Sequence, residues 1–176
     1  MTVPESLLPR LQRVRLFLCD VDGVLTDSSV FMGGGAEFKR FNIRDGLGLR
    51  LLQNAGIRVG WVSARPSHAT TERANDLKVD FLHQSPEPKV QAIDAILAKA
   101  GVTWEQTVFM GDDVVDLGAL RRVGFAAVPA DGIQEARALA HYVTAAAGGH
   151  GSVREVVDLI LKAQGHWDGV IAKFSS

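Results

Sequence analysis

VRLFLCDVDGVLTD, residues 14–27, is the stretch whose reading decides the fold. Leu16, Phe17, Leu18 and Cys19 form an apolar run with no side left for water. Such a run reads as a strand covered on both faces, as in a parallel sheet. It leads straight into Asp20 and Asp22 and then Gly23, a turn residue. If the extended backbone persists, side chains two apart share a side of the sheet, and Asp20 and Asp22 crowd together at the strand's C-terminal end. Open α/β sheets bind their ligands at that edge. Two like charges held close repel, and a hard cation, a proton on one carboxyl, or both would offset them. An acidic turn that only caps the next element is the plain alternative. The strand before it, and more acid farther along, weigh against that alternative.

Working outward, strands alternate with helices. VFMGGGAEFKRFN (residues 30–42) predicts a β-hairpin whose turn uses Gly33 to Gly35. Its aromatic content is too exposed for a connector, and a lone hairpin is marginal, so it is expected to pack on something, such as another subunit. Asp45 is the expected N-cap of a helix that Gly56 closes. A strand over 57–63, a helix opened by Pro66 and running to Leu77, and a strand over 79–83 follow. Val90, Ile93, Ile96 and Leu97 mark one face of a helix over 89–100. Strands at 107–110, 125–128 and 141–144, with helices between them and a final amphipathic helix around Val153 to Leu161, complete the pattern. It predicts a three-layer Rossmann-like α/β fold, a parallel sheet with helices on both faces. One domain over residues 1–176 is expected, with the hairpin inserted at about 28–43. Residues 165–176 read as a tail, frayed or docked on a neighbour.

The bulk numbers are those of a globular protein. The 176 residues suffice for a substantial core, and 47% are hydrophobic against 22% charged. A formal net charge of −1 gives no electrostatic case for nucleic acid or a membrane surface. The single cysteine, Cys19, reads as a buried inert thiol in a reducing compartment. Arg10, Arg13 and Arg15 break any signal-type apolar core, and no apolar run approaches the ~20 residues that cross a bilayer. A cytoplasmic protein is expected.

Four features fall on loops that follow strands and so emerge at one sheet edge: Asp20 with Asp22, Ser63, Lys89, and the cluster Asp112, Asp113 and Asp116. Ser63 alone would be a helix N-cap, and Asp112 and Asp113 also suit the positive end of the next helix. Lys89 is harder to explain that way, because a cation at a helix start meets the wrong end of the dipole at a cost of about 0.3–1 kcal/mol. Facing several carboxylates, its ammonium has a purpose. Together the set matches phosphoryl transfer. Asp20 and Asp112 would hold an oxygen-ligated Mg²⁺, and a carboxylate can attack phosphorus to give an aspartyl-phosphate. Ser63 and Lys89 would hold the remaining phosphoryl oxygens. Asp22 would protonate the leaving alkoxide and later take a proton from water. An acid in that role needs its pKa raised, by burial and by the Asp20 anion, and its carboxyl is expected to point away from the metal.

DVDGVLTD, the hydroxyl of Ser63, Lys89 and GDDVVD resemble the four motifs of the haloacid dehalogenase-like phosphatases. KRFNIRDGLGLRLLQNAGI, RANDL and GGHGSVREVVDLIL resemble the branch that dephosphorylates 3-deoxy-D-manno-octulosonate (KDO) 8-phosphate, and the likeness covers almost the whole chain. The resemblance implies a capless domain with Asp20 as nucleophile and Asp22 as acid/base. It implies Mg²⁺ held by Asp20, the backbone carbonyl of Asp22 and Asp112, with Asp113 and Asp116 supporting from behind. It also implies a homotetramer whose hairpin and tail help close a neighbour's site, with Arg65 and Arg73 facing the phosphate and an acidic sugar. Where the family has Thr-Gly-Arg, this chain has Ser63-Ala64-Arg65, which retains the hydroxyl and adds a Cβ at Ala64 beside the phosphate. The expected substrate is KDO 8-phosphate. A nine-carbon sialic-acid-type 9-phosphate is the alternative substrate, and a receiver-type phospho-acceptor module the alternative class.

Overall fold

The computed structural model describes residues 3–175. After a 3-10 turn at Glu5–Leu7 and the one-turn helix α1 (Leu8–Leu11), strand β1 spans Leu16–Cys19. The hairpin strands β2 (Phe31–Gly33) and β3 (Ala36–Phe38) follow, then α2 (Ile43–Asn54), β4 (Arg58–Ser63), α3 (His68–Asp76), β5 (Phe81–Gln84) and α4 (Lys89–Ala100). Beyond these come β6 (Thr107–Met110), a 3-10 turn at Val114–Asp116, α5 (Leu117–Leu120), β7 (Phe125–Val128), α6 (Gln134–Leu139), β8 (Tyr142–Val143), α7 (Ser152–Ala163) and α8 (Trp167–Phe174). Six strands form one sheet in the order β5-β4-β1-β6-β7-β8, every pair parallel.

The central strand is β1, paired with β4 on one side (Cys19 opposite Trp61) and β6 on the other (Cys19 opposite Met110). Alternation along it splits the core. Phe17 and Cys19 join Trp61, Val108 and Met110 against α2 and α7, whereas Leu16 and Leu18 join Val62 and Phe109 against α4, α5 and α6. The expectation of a strand buried on both faces is met at all four positions. From β1 the chain winds outward to β5 and then returns to the other side of β1 at β6. That reversal places a crevice at the C-terminal end of β1.

Several local expectations are corrected. Asn42, not Asp45, caps α2, its side chain accepting from the Arg44 N–H at 2.8 Å. Asp45 is buried and turned to α7, where it accepts from the Arg154 N–H at 2.7 Å. The third helix starts at His68 rather than Pro66, with Ser67 as its N-cap. The segment expected as a tail is helix α8, packed on its own chain, with Arg154 and Lys162 over the Trp167 ring. The hairpin forms with Gly34 and Gly35 both at positive φ (57° and 77°), the requirement of a two-residue turn matched to strand twist.

Candidate active site

The alternation that sends Leu16 and Leu18 toward α4 sends Asp20 there too. The Asp20 N–H still bonds the Met110 carbonyl at 2.9 Å, so the β1–β6 ladder holds its backbone. The Val21 N–H donates to Asp20 Oδ1 at 2.6 Å, and Oδ2 meets the Lys89 ammonium at 2.8 Å. Lys89 is the first residue of α4 and is buried; its Nζ also lies 2.6 Å from Asp116 Oδ1. Asp116 is fully buried, and its other oxygen accepts the N–H groups of Asp112 (2.9 Å) and Asp113 (3.2 Å), which ties the loop after β6 into one shape. Asp113 is exposed and caps that turn through the Val114 N–H at 2.6 Å.

Asp112 completes the cluster. Carboxylate oxygens of Asp20, Asp112 and Asp116 lie within 4.8 Å of one another. Asp112 Oδ1 is buried with no hydrogen-bond partner, an expensive state for a carboxylate oxygen. Its Oδ2 fills the space over Gly23, where an added Cβ would lie 2.0 Å away. Burial, then Asp116 and Asp20, push the Asp112 carboxyl up to about 8. Burial pushes Asp20 up to about 6, with the Lys89 ammonium working against the rise. Lys89 itself loses hydration on burial, but Asp116 and Asp20 outweigh that loss and raise its pKa. An orphan oxygen, three converging oxygen donors and carboxyls that retain protons without compensation fit a hard divalent cation.

Asp22 has different partners. The chain leaves the extended conformation after Asp20 and turns on itself, with the N–H groups of Leu25 and Thr26 bonding the Val21 carbonyl at 2.9 and 3.1 Å. Asp22 is therefore not one of the three carboxylates that converge within 4.8 Å of one another. Its partners are cations: Lys39 Nζ lies 2.8 and 3.0 Å from its two oxygens, and Arg65 Nε 3.6 Å from one of them. Ser63 ends β4, its Oγ engaged with the N–H and C=O of Arg65 at 3.1 Å each. Ala64 is not among the described non-glycine residues at positive φ, which are Ser28 and Lys78, so its added Cβ costs no left-handed strain. Arg65 is held by Glu37 at 2.5 Å. Arg73 is half-buried, paired with Asp76 at 2.5 Å, and lines the groove between the hairpin and α3 rather than the carboxylate cluster. Lys39 and Glu37 were missed. The available signal was their spacing, two charges flanking Phe38 on a strand of period two.

A switch-point crevice holding these carboxylates and the buried Lys89 ammonium defines a haloacid dehalogenase-like hydrolase, a class whose solved members include a putative hydrolase from Legionella pneumophila (29% identity, TM-score 0.91). No protein-family model matches the chain. The KDO 8-phosphate phosphatase of Yersinia pestis is 39% identical over 168 residues, covering 95% of this chain and 90% of that one. The structure of the Moraxella catarrhalis enzyme with magnesium, phosphate and KDO superposes with a TM-score of 0.93 at 36% identity, covering 96% of this chain and 98% of that one. The cobalt-bound Haemophilus influenzae enzyme gives 0.86 at 37%, covering 89% and 92%. The chain belongs to the KDO 8-phosphate phosphatase family of the haloacid dehalogenase superfamily.

Proposed function

We propose that this chain, acting as one domain over residues 1–176, hydrolyses KDO 8-phosphate with Mg²⁺ as cofactor. The observation that carries the reading is the Lys89 ammonium held between Asp20 and Asp116, beside the orphan oxygen of Asp112. Magnesium, when bound by Asp20, Asp112 and the Asp22 carbonyl, would neutralise charge on the phosphoryl group. Asp20 attacks phosphorus and carries the phosphoryl group as an acyl phosphate. Lys89 and Ser63 hold phosphoryl oxygens, while Asp116 and Asp113 hold the loop that carries Asp112. Asp22 gives its proton to the leaving C8 alkoxide and takes one from the water that cleaves the acyl phosphate. Arg65, beside Ala64 at the crevice, and Arg73 along the hairpin groove offer positive charge to an acidic sugar.

We further propose a cytoplasmic homotetramer. Phe31, Met32 and Phe38 are 59%, 75% and 62% exposed, an apolar surface suited to another copy. No helix among the described residues is long and apolar enough to cross a membrane. Membership of a phosphatase family favours a hydrolase over a phospho-acceptor module. The test is phosphate release from KDO 8-phosphate, a sialic-acid 9-phosphate and hexose phosphates, with Mg²⁺ and with chelator. The eight-carbon substrate is expected to be fastest and to need the metal; an equal or greater rate with hexose phosphates would overturn the assignment.

A further inference from the structure

Strand β3 sends alternate side chains in opposite directions. Phe38 is exposed, whereas Glu37 before it and Lys39 after it turn back onto their own chain. The Lys39 side chain has no exposed surface. Its ammonium lies 2.8 and 3.0 Å from the two oxygens of Asp22 and 3.1 Å from Thr70 Oγ1, a buried hydroxyl on α3. Glu37 anchors the strand alongside, accepting from Arg65 Nη1 at 2.5 Å and Ser67 Oγ at 2.6 Å. Burying a lysine forfeits hydration and rotamer freedom. Backbone pairing of β2 with β3 does not need that sacrifice.

The function of Lys39 lies with Asp22. That residue sits in a turn, and the recorded partners of its carboxylate are the ammonium of Lys39 and the more distant Arg65. A proton donor must be aimed at the leaving oxygen, and a misplacement near 1 Å can cost about 10²-fold in rate. We propose that Lys39 is a positioning residue that fixes the Asp22 carboxyl toward the leaving-group oxygen. The hairpin thereby builds part of its own subunit's catalytic geometry. This rests on the reading of Asp22 as the group that protonates the leaving alkoxide.

The readout is a ratio of kcat/KM values, KDO 8-phosphate over p-nitrophenyl phosphate: kcat/KM ends with departure of the leaving group, where nitrophenolate needs no proton and a sugar alkoxide does, and leaves out the attack of water that both substrates share. For Lys39→Met the ratio is expected to fall about 10- to 100-fold, with KM for the sugar phosphate within about threefold of wild type. An equal loss of kcat/KM on both substrates, or a loss confined to KM, would overturn the proposal, since either means that Lys39 supports the fold or binds phosphate. If Lys39→Met fails to fold by circular dichroism, Lys39→Ala, which likewise removes the donor, is held to the same ratio. If the wild-type protein hydrolyses another alkyl phosphate better than KDO 8-phosphate, the substrate reading fails, and the ratio on that better substrate still decides the role of Lys39.

Discussion

Lys89 donates to Asp116 at 2.6 Å, and neither side chain retains more than 2% of its surface in solvent. The lysine stands at the start of α4, the end of a helix that repels cations. It is retained there by Asp20 and Asp116, and they in turn depend on it. Breaking a buried pair by removing one partner costs about 3–5 kcal/mol. For Lys89→Met a loss of that size is expected at pH 8 with chelator present, read from the urea midpoint. It should be smaller at pH 5, where Asp20 and Asp112, pushed up to about 6 and about 8, already hold protons. Phosphate release should fall by about 100-fold or more at either pH.

Cation binding at this cluster must displace protons. With Asp112 titrating at about 8 and Asp20 at about 6 in the absence of metal, Mg²⁺ affinity is expected to rise from pH 6 to pH 8, with proton release. Calorimetry in buffers of differing ionisation enthalpy measures both. Asp112→Asn should abolish the heat of binding and the Mg²⁺-dependent gain in Tm.

Gly23 stands at φ +92°, and a Cβ there would overlap the Asp112 carboxylate at 2.0 Å. Gly23→Ala should therefore displace Asp112, removing Mg²⁺ binding and turnover together. The backbone strain adds about 1 kcal/mol of destabilisation. A variant that binds Mg²⁺ with wild-type affinity would show that the close approach is not required.

Asp45 gives a pH dependence of stability separate from catalysis. Burial, offset by the N–H groups of Arg154 and Gly151, pushes its carboxyl up to about 6 from 3.8. The folded state therefore binds this proton more tightly than the unfolded chain. The resulting stability is fully present below pH 3.8 and is lost as pH rises to about 6, with a ceiling of roughly 3 kcal/mol. Asp45→Asn removes that slope while retaining an acceptor for Arg154. Urea midpoints of the two proteins from pH 4 to pH 7 should diverge across this window and run parallel above it.

What the sequence made legible was whatever depends on period and adjacency. The apolar run of β1 named its own two-sided burial, and the residues ending β1, β4 and β6 or opening α4 named the sheet edge, so Asp20, Ser63, Lys89 and Asp112 could be listed without coordinates. Asp22 is not among the three converging carboxylates, because the reading that placed it beside Asp20 needed the strand to continue, and hydrogen bonds to the Val21 carbonyl turn the chain first. Asp45 looked like a cap and is one, but for α7, 109 residues away in sequence. Helix α8 was hidden because its anchor, Trp167 beneath Arg154 and Lys162, exists only after α7 has formed.

A ribbon three residues long cannot be gripped on one side alone. Phe38 points outward between Glu37 and Lys39, which point inward. Any body that clamps the aromatic side must stiffen the charged side as well. In the proposed assembly, quaternary association and proton delivery would be joined through a single short lever, and a mutation meant to weaken the first is expected to be felt in the second.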